Sequence, residues 1–249
     1  MRLLATVILL VLPLTGPAEA TSEKILTDSL TFNGARRNYY LFVPQKAGVT
    51  APAPLIVLLH GSGRNGLSLV EKWKDIASQE GIVLVGPDSA DSAQWASPVD
   101  GPDFLHELVE MLKSKYLINP RRVYLFGHSA GASFALQMSL LESEYFAATA
   151  VHAGALTQEV ASFLIQRAKR KIPIAIQVGT EDQFFPLKSV RHTRDELTRQ
   201  GFSVELTEIP RHDHWYYDLA PKINRSAWEF LKKTELAGDP RYEQYRFGK

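Results

Sequence analysis

Short apolar runs punctuate this chain: Leu55-Ile56-Val57-Leu58-Leu59, Ile82-Val83-Leu84-Val85, Arg122-Val123-Tyr124-Leu125-Phe126, Ala147 to Val151 and Ile172 to Val178. Uninterrupted apolar stretches of strand length mark strands covered on both faces, as in a parallel sheet. The segments between them change period. Phe104-Leu105, Leu108-Val109 and Leu112 recur at helical spacing, as do Phe163-Leu164 and Ala168, and Ile223, Ala227, Phe230 and Leu231 share one face of a last helix. Arg37 to Pro44 alternates and is rich in aromatic and β-branched residues, which predicts an early strand; Phe202 to Ile209 alternates like an outer one. Strands alternating with helices predict an α/β fold with a mostly parallel central sheet and helices on both faces. No internal repeat or interdomain linker interrupts the pattern.

The first residues stand apart. Arg2 precedes the apolar stretch Leu3 to Leu12, then Pro13 and the small-residue site Ala18-Glu19-Ala20. This order predicts a secretory signal peptide, residues 1–20, and a secreted or periplasmic protein without a lasting membrane anchor. Residues 21–233 make one α/β domain on this pattern, and 234–249 is a polar C-terminal tail carrying Tyr242, Tyr245 and Phe247, either frayed or docked.

The 249 residues are 45% hydrophobic and 22% charged, enough for one large core, and the formal net charge is +1. No long basic or acidic block suggests nucleic acid or a membrane surface as partner. The chain has no cysteine, which removes disulfides, a cysteine nucleophile and cysteine-ligated metals from consideration. Neither a P-loop nor a G-x-G-x-x-G nucleotide signature is expected in this chain, and neither a nucleotide nor any other cofactor is expected.

Chemistry enters with Gly127-His128-Ser129-Ala130-Gly131, a G-x-S-x-G placed between a predicted strand and a predicted helix. Those flanks are what a nucleophile elbow needs: a sharp turn lifts the serine above the sheet edge, with small residues two before and two after. An ordinary Gly-rich strand-to-helix turn would carry the same letters. A serine needs a base, and the base needs a carboxylate to hold its tautomer. Downstream, the strand ending at Val178 runs into Gly179-Thr180-Glu181-Asp182, which offers Asp182 as the acid, with Glu181 as its neighbour to test and helix capping near Leu187 as another role for Asp182. The next strand ends in His212-Asp213-His214-Trp215, so one of two histidines supplies the base. A metal at His212-Asp213-His214 lacks a second ligand cluster, and no metal is expected. The oxyanion donors expected are the N–H groups of Ala130 and of Ser62, in the Gly-rich loop after Leu59. Trp95 and Trp215 are candidate substrate contacts, with His152, Phe184 and Phe185 as further candidates for pocket lining.

At this point the chain resembles the α/β-hydrolase superfamily, and within it the secreted polyhydroxybutyrate depolymerase, feruloyl esterase and acetyl-xylan esterase group. The resemblance runs from about Arg37 to Leu231 and rests on Arg37-x-Tyr39-x-Leu41-x-Val43-Pro44, Leu58-Leu59-His60-Gly61, Trp95, Asn119-Pro120-Arg121-Arg122-Val123-Tyr124 and the pentapeptide. His214-Trp215-Tyr216-Tyr217 is similar to the histidine loop of S-formylglutathione hydrolases, where the histidine before the aromatic residues is the base; this selects His214 over His212. The resemblance implies a Ser129, His214, Asp182 triad and an acyl-enzyme, acting on a carbohydrate-linked, phenolic or short-chain ester. Ala132 stands where the group often has a second glycine. A peptidase of the prolyl-oligopeptidase type, or a non-catalytic protein on the same scaffold, are the rival readings.

Overall fold

A computed structural model describes residues 23–243. The predicted signal peptide lies outside the described residues. The first described strand, β1 (Leu26–Phe32), pairs antiparallel with β2 (Ala35–Phe42), and β2 pairs antiparallel with β4 (Val83–Pro87). β3 (Ala53–Leu59), β4, β5 (Ile118–His128), β6 (Thr149–His152), β7 (Ile174–Gly179) and β8 (Val204–Ile209) are parallel neighbours, in the sheet order β1-β2-β4-β3-β5-β6-β7-β8. β1 was not anticipated. Its residues are mostly exposed on an outer edge, so it shows neither an apolar run nor a clean alternation.

Alternate residues of each central strand feed two cores. Leu55, Val57 and Leu59 face one side with Val123 and Leu125, packed by α2 (Pro102–Lys115), α3 (Ala130–Leu141), α4 (Gln158–Ile165) and α5 (Leu187–Arg199). Ile56, Leu58, Tyr124 and Phe126 face the other, packed by α1 (Leu67–Glu80) and α6 (Tyr216–Leu231). Most of α3 is apolar and buried, as befits a helix pressed against the sheet and flanked by neighbours. The described part of the C-terminal tail docks on the domain. Leu236 enters the core beside α6, and the Tyr242 ring stacks on His106 at 3.8 Å.

The chain leaves β3 toward β4 on one side and returns to β5 on the other, so the loops after β3 and β5 meet at a point where the strand order reverses. Ligand sites of open α/β sheets form there, at the C-terminal strand ends. The loop between β4 and α2 overhangs this edge and is tied down from below. Arg37 of β2 pairs with Asp100 and also donates to the carbonyls of Asp88 and Val99. Asp100 accepts in turn from the N–H groups of Ala90 and Ala96. Both members of the pair are buried. Asp100→Ala strands the Arg37 guanidinium and should lower unfolding free energy by about 3–5 kcal/mol in a chemical denaturation experiment, whereas an exposed pair such as Arg225–Glu80 should cost less than about 1 kcal/mol.

Candidate active site

The elbow is built by backbone crowding. β5 turns into α3 within one residue, and Ser129 takes a φ of +58°, a conformation L-residues adopt at a cost of order 1–3 kcal/mol. A Cβ on Gly127 would lie 2.2 Å from the Gly131 carbonyl oxygen, and one on Gly131 would lie 2.0 Å from the Leu59 oxygen. Both positions therefore require glycine. Ala132, the departure noted above, is accommodated because Gly154 stands opposite: a Cβ at 154 would come 2.5 Å from that of Ala132.

Two loops bring the partners to Ser129. His214 Nε2 accepts from the Ser129 hydroxyl at 2.9 Å, and His214 Nδ1–H donates to Asp182 Oδ2 at 2.9 Å. Ser129, His214 and Asp182 thus form a Ser-His-Asp arrangement consistent with serine ester hydrolase chemistry. The other Asp182 oxygen accepts from the N–H groups of Phe184 (2.9 Å) and Phe185 (2.8 Å). Asp182 does not cap α5, whose N-cap is Pro186. Burial works to raise its carboxyl, but the His214 hydrogen bond and the two backbone donors outweigh this and hold it below the usual carboxylate range. The acid loop and base loop are themselves joined. Glu181 N–H donates to the His212 carbonyl (2.9 Å), and a Cβ on Gly179 would collide with that oxygen at 2.0 Å. The glycine of the Gly-x-x-Asp segment is what allows the two loops to close.

The remaining candidates separate. His212 does not reach Ser129; its Nε2 lies 3.2 Å from Nε2 of His152. Glu181, Gln183, Phe184, Asp213, His214 and Trp215 line a cleft of about 380 Å³ beside the base. Phe184 (76% exposed) and Trp215 (44% exposed) present bare aromatic surface there. Phe185 lies nearly parallel to the His214 ring at 5.8 Å. Trp95 is not in this cleft: it stacks on Phe134 and donates its indole N–H to the His60 carbonyl (2.8 Å). His152, a candidate for pocket lining, is instead fully buried beneath the site, at the end of β6.

The loop after β3 runs beside the elbow, a Cβ on Gly61 lying 3.3 Å from that of Ser129. The Ser62 hydroxyl donates to the Ala93 carbonyl (2.6 Å), tying this loop to the one above α2. Contrary to the expectation that the chain has no such spacing, Gly61 to Gly66 carries the G-x-G-x-x-G of dinucleotide loops. Here two of its donors are taken by the protein: Gly63 N–H by the Ser92 carbonyl (2.7 Å) and Gly66 N–H by Asp88 Oδ1 (3.0 Å). The loop serves the elbow, and its spacing does not make a phosphate cradle. Among the described residues, no group of three or more His, Cys, Asp or Glu side chains is placed to hold a metal ion, and no helix is long and apolar enough to cross a membrane.

Over residues 93–229, more than half of its length, the chain matches the dienelactone hydrolase family. The chain belongs to that family. This dienelactone hydrolase family member is 26% identical over 199 residues to a bifunctional acetylxylan esterase/xylanase of Neocallimastix patriciarum, covering 77% of this chain and 29% of that protein. It is 27% identical over 165 residues to poly(3-hydroxyalkanoate) depolymerase C of Paucimonas lemoignei, covering 61% and 40%. The chain therefore spans well under half the length of these relatives. In structure it is similar to an S-formylglutathione hydrolase of Agrobacterium tumefaciens, with a TM-score of 0.68 at 19% identity over 85% of this chain and 98% of that one. That likeness is one of fold alone; the family match and the curated relatives make the chain a member of the α/β-hydrolase superfamily, related distantly to esterases and depolymerases.

Beneath the triad this dienelactone hydrolase family member keeps two histidines neutral. Burial first, then the nearby His214, push His128 down to about 3. Burial, then the surrounding histidines, push His152 down to about 2. Unfolded histidine takes its proton near pH 6.5, so the unfolded chain binds protons first as pH falls. The stability these rings allow is whole above about pH 6.5 and is lost as pH drops toward their folded values. Denaturation titrations should show the folding constant falling below that point by up to about tenfold per pH unit for each histidine, and His128→Asn should flatten the slope.

Proposed function

We propose that this dienelactone hydrolase family member is a secreted or periplasmic serine esterase acting on carbohydrate-linked, phenolic or short-chain carboxylic esters. The observation that carries the proposal is the continuous hydrogen-bonded path from Ser129 through His214 to Asp182. Ser129 Oγ attacks the ester carbonyl while His214 Nε2 takes its proton. Asp182 holds the ring's tautomer and stabilises the imidazolium that forms. The N–H groups of Ala130, at the N-terminus of α3, and of Ser62 hold the oxyanion, each typically worth about 3 kcal/mol. His214 then returns the proton to the leaving alcohol, and water, activated by the same ring, cleaves the acyl-enzyme.

We assign the leaving alcohol to the cleft that His214, the residue returning its proton, helps to line. Its exposed Phe184 and Trp215 rings, with Glu181, Gln183 and Asp213 among them, suit an alcohol that has both an apolar face and hydroxyl groups. Trp95 contributes indirectly, by fixing the His60 carbonyl just before the oxyanion loop. The names of the relatives, an acetylxylan esterase and a polyester depolymerase, support an ester substrate. The signal-like residues 1–20 support export.

Purified protein should hydrolyse p-nitrophenyl acetate and at least one of methyl ferulate or acetylated xylan, and leave a peptide anilide intact. Ser129→Ala should abolish turnover and fluorophosphonate labelling while unfolding at the same denaturant concentration or higher. A folded wild type that takes no label would point to a non-catalytic scaffold. Trp215→Ala should raise KM for the bulky esters and leave p-nitrophenyl acetate nearly unaffected, measured by initial rates.

A further inference from the structure

The reaction uses one histidine, yet three more lie beneath it. His128 and His152 are register partners at the C-terminal edge of β5 and β6. Tyr216 of α6 covers both rings, at 5.2 and 5.7 Å. Nδ1 of His128 and Nδ1 of His152 share a hydrogen bond at 3.1 Å, and Nε2 of His152 shares another with Nε2 of His212 at 3.2 Å. His152 thus has both ring nitrogens engaged inside the protein, one by a strand neighbour and one by the loop residue that lies two positions before His214.

A side chain that merely filled this space would be better apolar, since buried polar groups carry a desolvation cost. Imidazole adds a ring with a donor on one edge and an acceptor on the other. In a chain of neutral rings each nitrogen-to-nitrogen contact holds one proton, so choosing one tautomer orders the rest. His212 is also where the other parts meet, because its carbonyl accepts from Glu181, next to Asp182.

We infer that His128, His152 and His212 are positioning residues for ester hydrolysis: a hydrogen-bonded chain of imidazoles that ties the loop bearing His214 to the strand bearing Ser129. The inference rests on the reading of Ser129, His214 and Asp182 as the reacting set. The chain acts through His214, by holding its Nε2 at hydrogen-bond distance from Ser129 Oγ. The ionisable groups facing it are His214 and Asp182 from the loops, and Tyr216 and Tyr217 from α6. With His128 uncharged, an imidazolium forming on His214, whose ring lies 5.0 Å away, meets no like charge from that ring.

Substitutions at His152 separate positioning from space-filling. Glutamine places its amide near the Nε2 position and keeps the arm to His212. Asparagine reaches only the Nδ1 position and keeps the arm to His128. Phenylalanine fills the space and keeps neither. For p-nitrophenyl acetate, kcat should fall on the order of 100-fold in His152→Phe and His152→Asn, as for a misplaced base, with KM unchanged. His152→Gln should restore most of the loss. Should these buried variants fail to fold, His212→Gln against His212→Asn asks the same question at the end of the chain, with glutamine again the more active. A folded His152→Phe with wild-type kcat, or asparagine outperforming glutamine, would overturn the proposal. Nitrogen-15 spectra of the wild type judge the chain without turnover. His128 and His152 are expected as neutral rings, each with one protonated nitrogen at about pH 6, and a cationic or tautomerically averaging ring at either position would sink it. If the wild type instead hydrolyses no ester, the esterase reading fails while the spectrum still decides the chain.

Discussion

The site depends on how closely backbone can approach backbone at the end of β5. Ser129 occupies its positive-φ conformation because strand and helix meet across a single residue, with Gly127 and Gly131 leaving no room for a side chain on either flank. Neighbouring strands hold the turn in place: β3 presses the Leu59 carbonyl against Gly131, and the His152 carbonyl at the end of β6 accepts from Ser129 N–H at 3.1 Å. The nucleophile is therefore fixed by the sheet and not by its loop. Any change that lets the sheet edge relax moves Ser129 away from its base.

A second close approach, Gly179 against the His212 carbonyl, does for the acid and base what the first does for the nucleophile. It brings the loop after β7 onto the loop after β8, so Asp182 and His214 are set relative to each other before either meets Ser129. Behind them α6 is anchored in turn: Tyr216 donates to Asn224, and Asn224 to the Lys72 carbonyl of α1. The helix that follows the catalytic histidine thus carries the packing of a whole sheet face back to the site.

The electrostatics follow the same economy. Asp182 keeps its charge under burial because backbone N–H groups and His214 surround it. His60, His128 and His152 have no carboxylate partner, and burial keeps them neutral. His60 illustrates the use of such a ring: its Nδ1–H donates to the Gly61 carbonyl and its Nε2 accepts from Ser89 N–H, joining the loops that follow β3 and β4. One stable negative charge, set beneath a single base and surrounded by neutral rings, favours the cation that must appear on His214.

The sequence by itself determined the parallel strands, the elbow and the order nucleophile, acid, base, because each is written over a few adjacent residues. An apolar run of strand length, or a glycine where no Cβ fits, constrains the local backbone whatever lies beyond it. The choice between His212 and His214 came from a resembling loop and not from the residues, and the tertiary structure gave the two rings different partners. The edge strand β1 was illegible because it is largely solvent-exposed, and the G-x-G-x-x-G spacing misleads because only the folded loop shows the N–H groups of Gly63 and Gly66 already taken. His128, His152 and His212 were visible as polar residues at or beyond the ends of apolar runs. That they join depends on strand register, on the covering of one face by α6 and on the closure of two distant loops. Those are properties of the whole packed core, set by contacts between segments far apart in the chain, and no local pattern contains them.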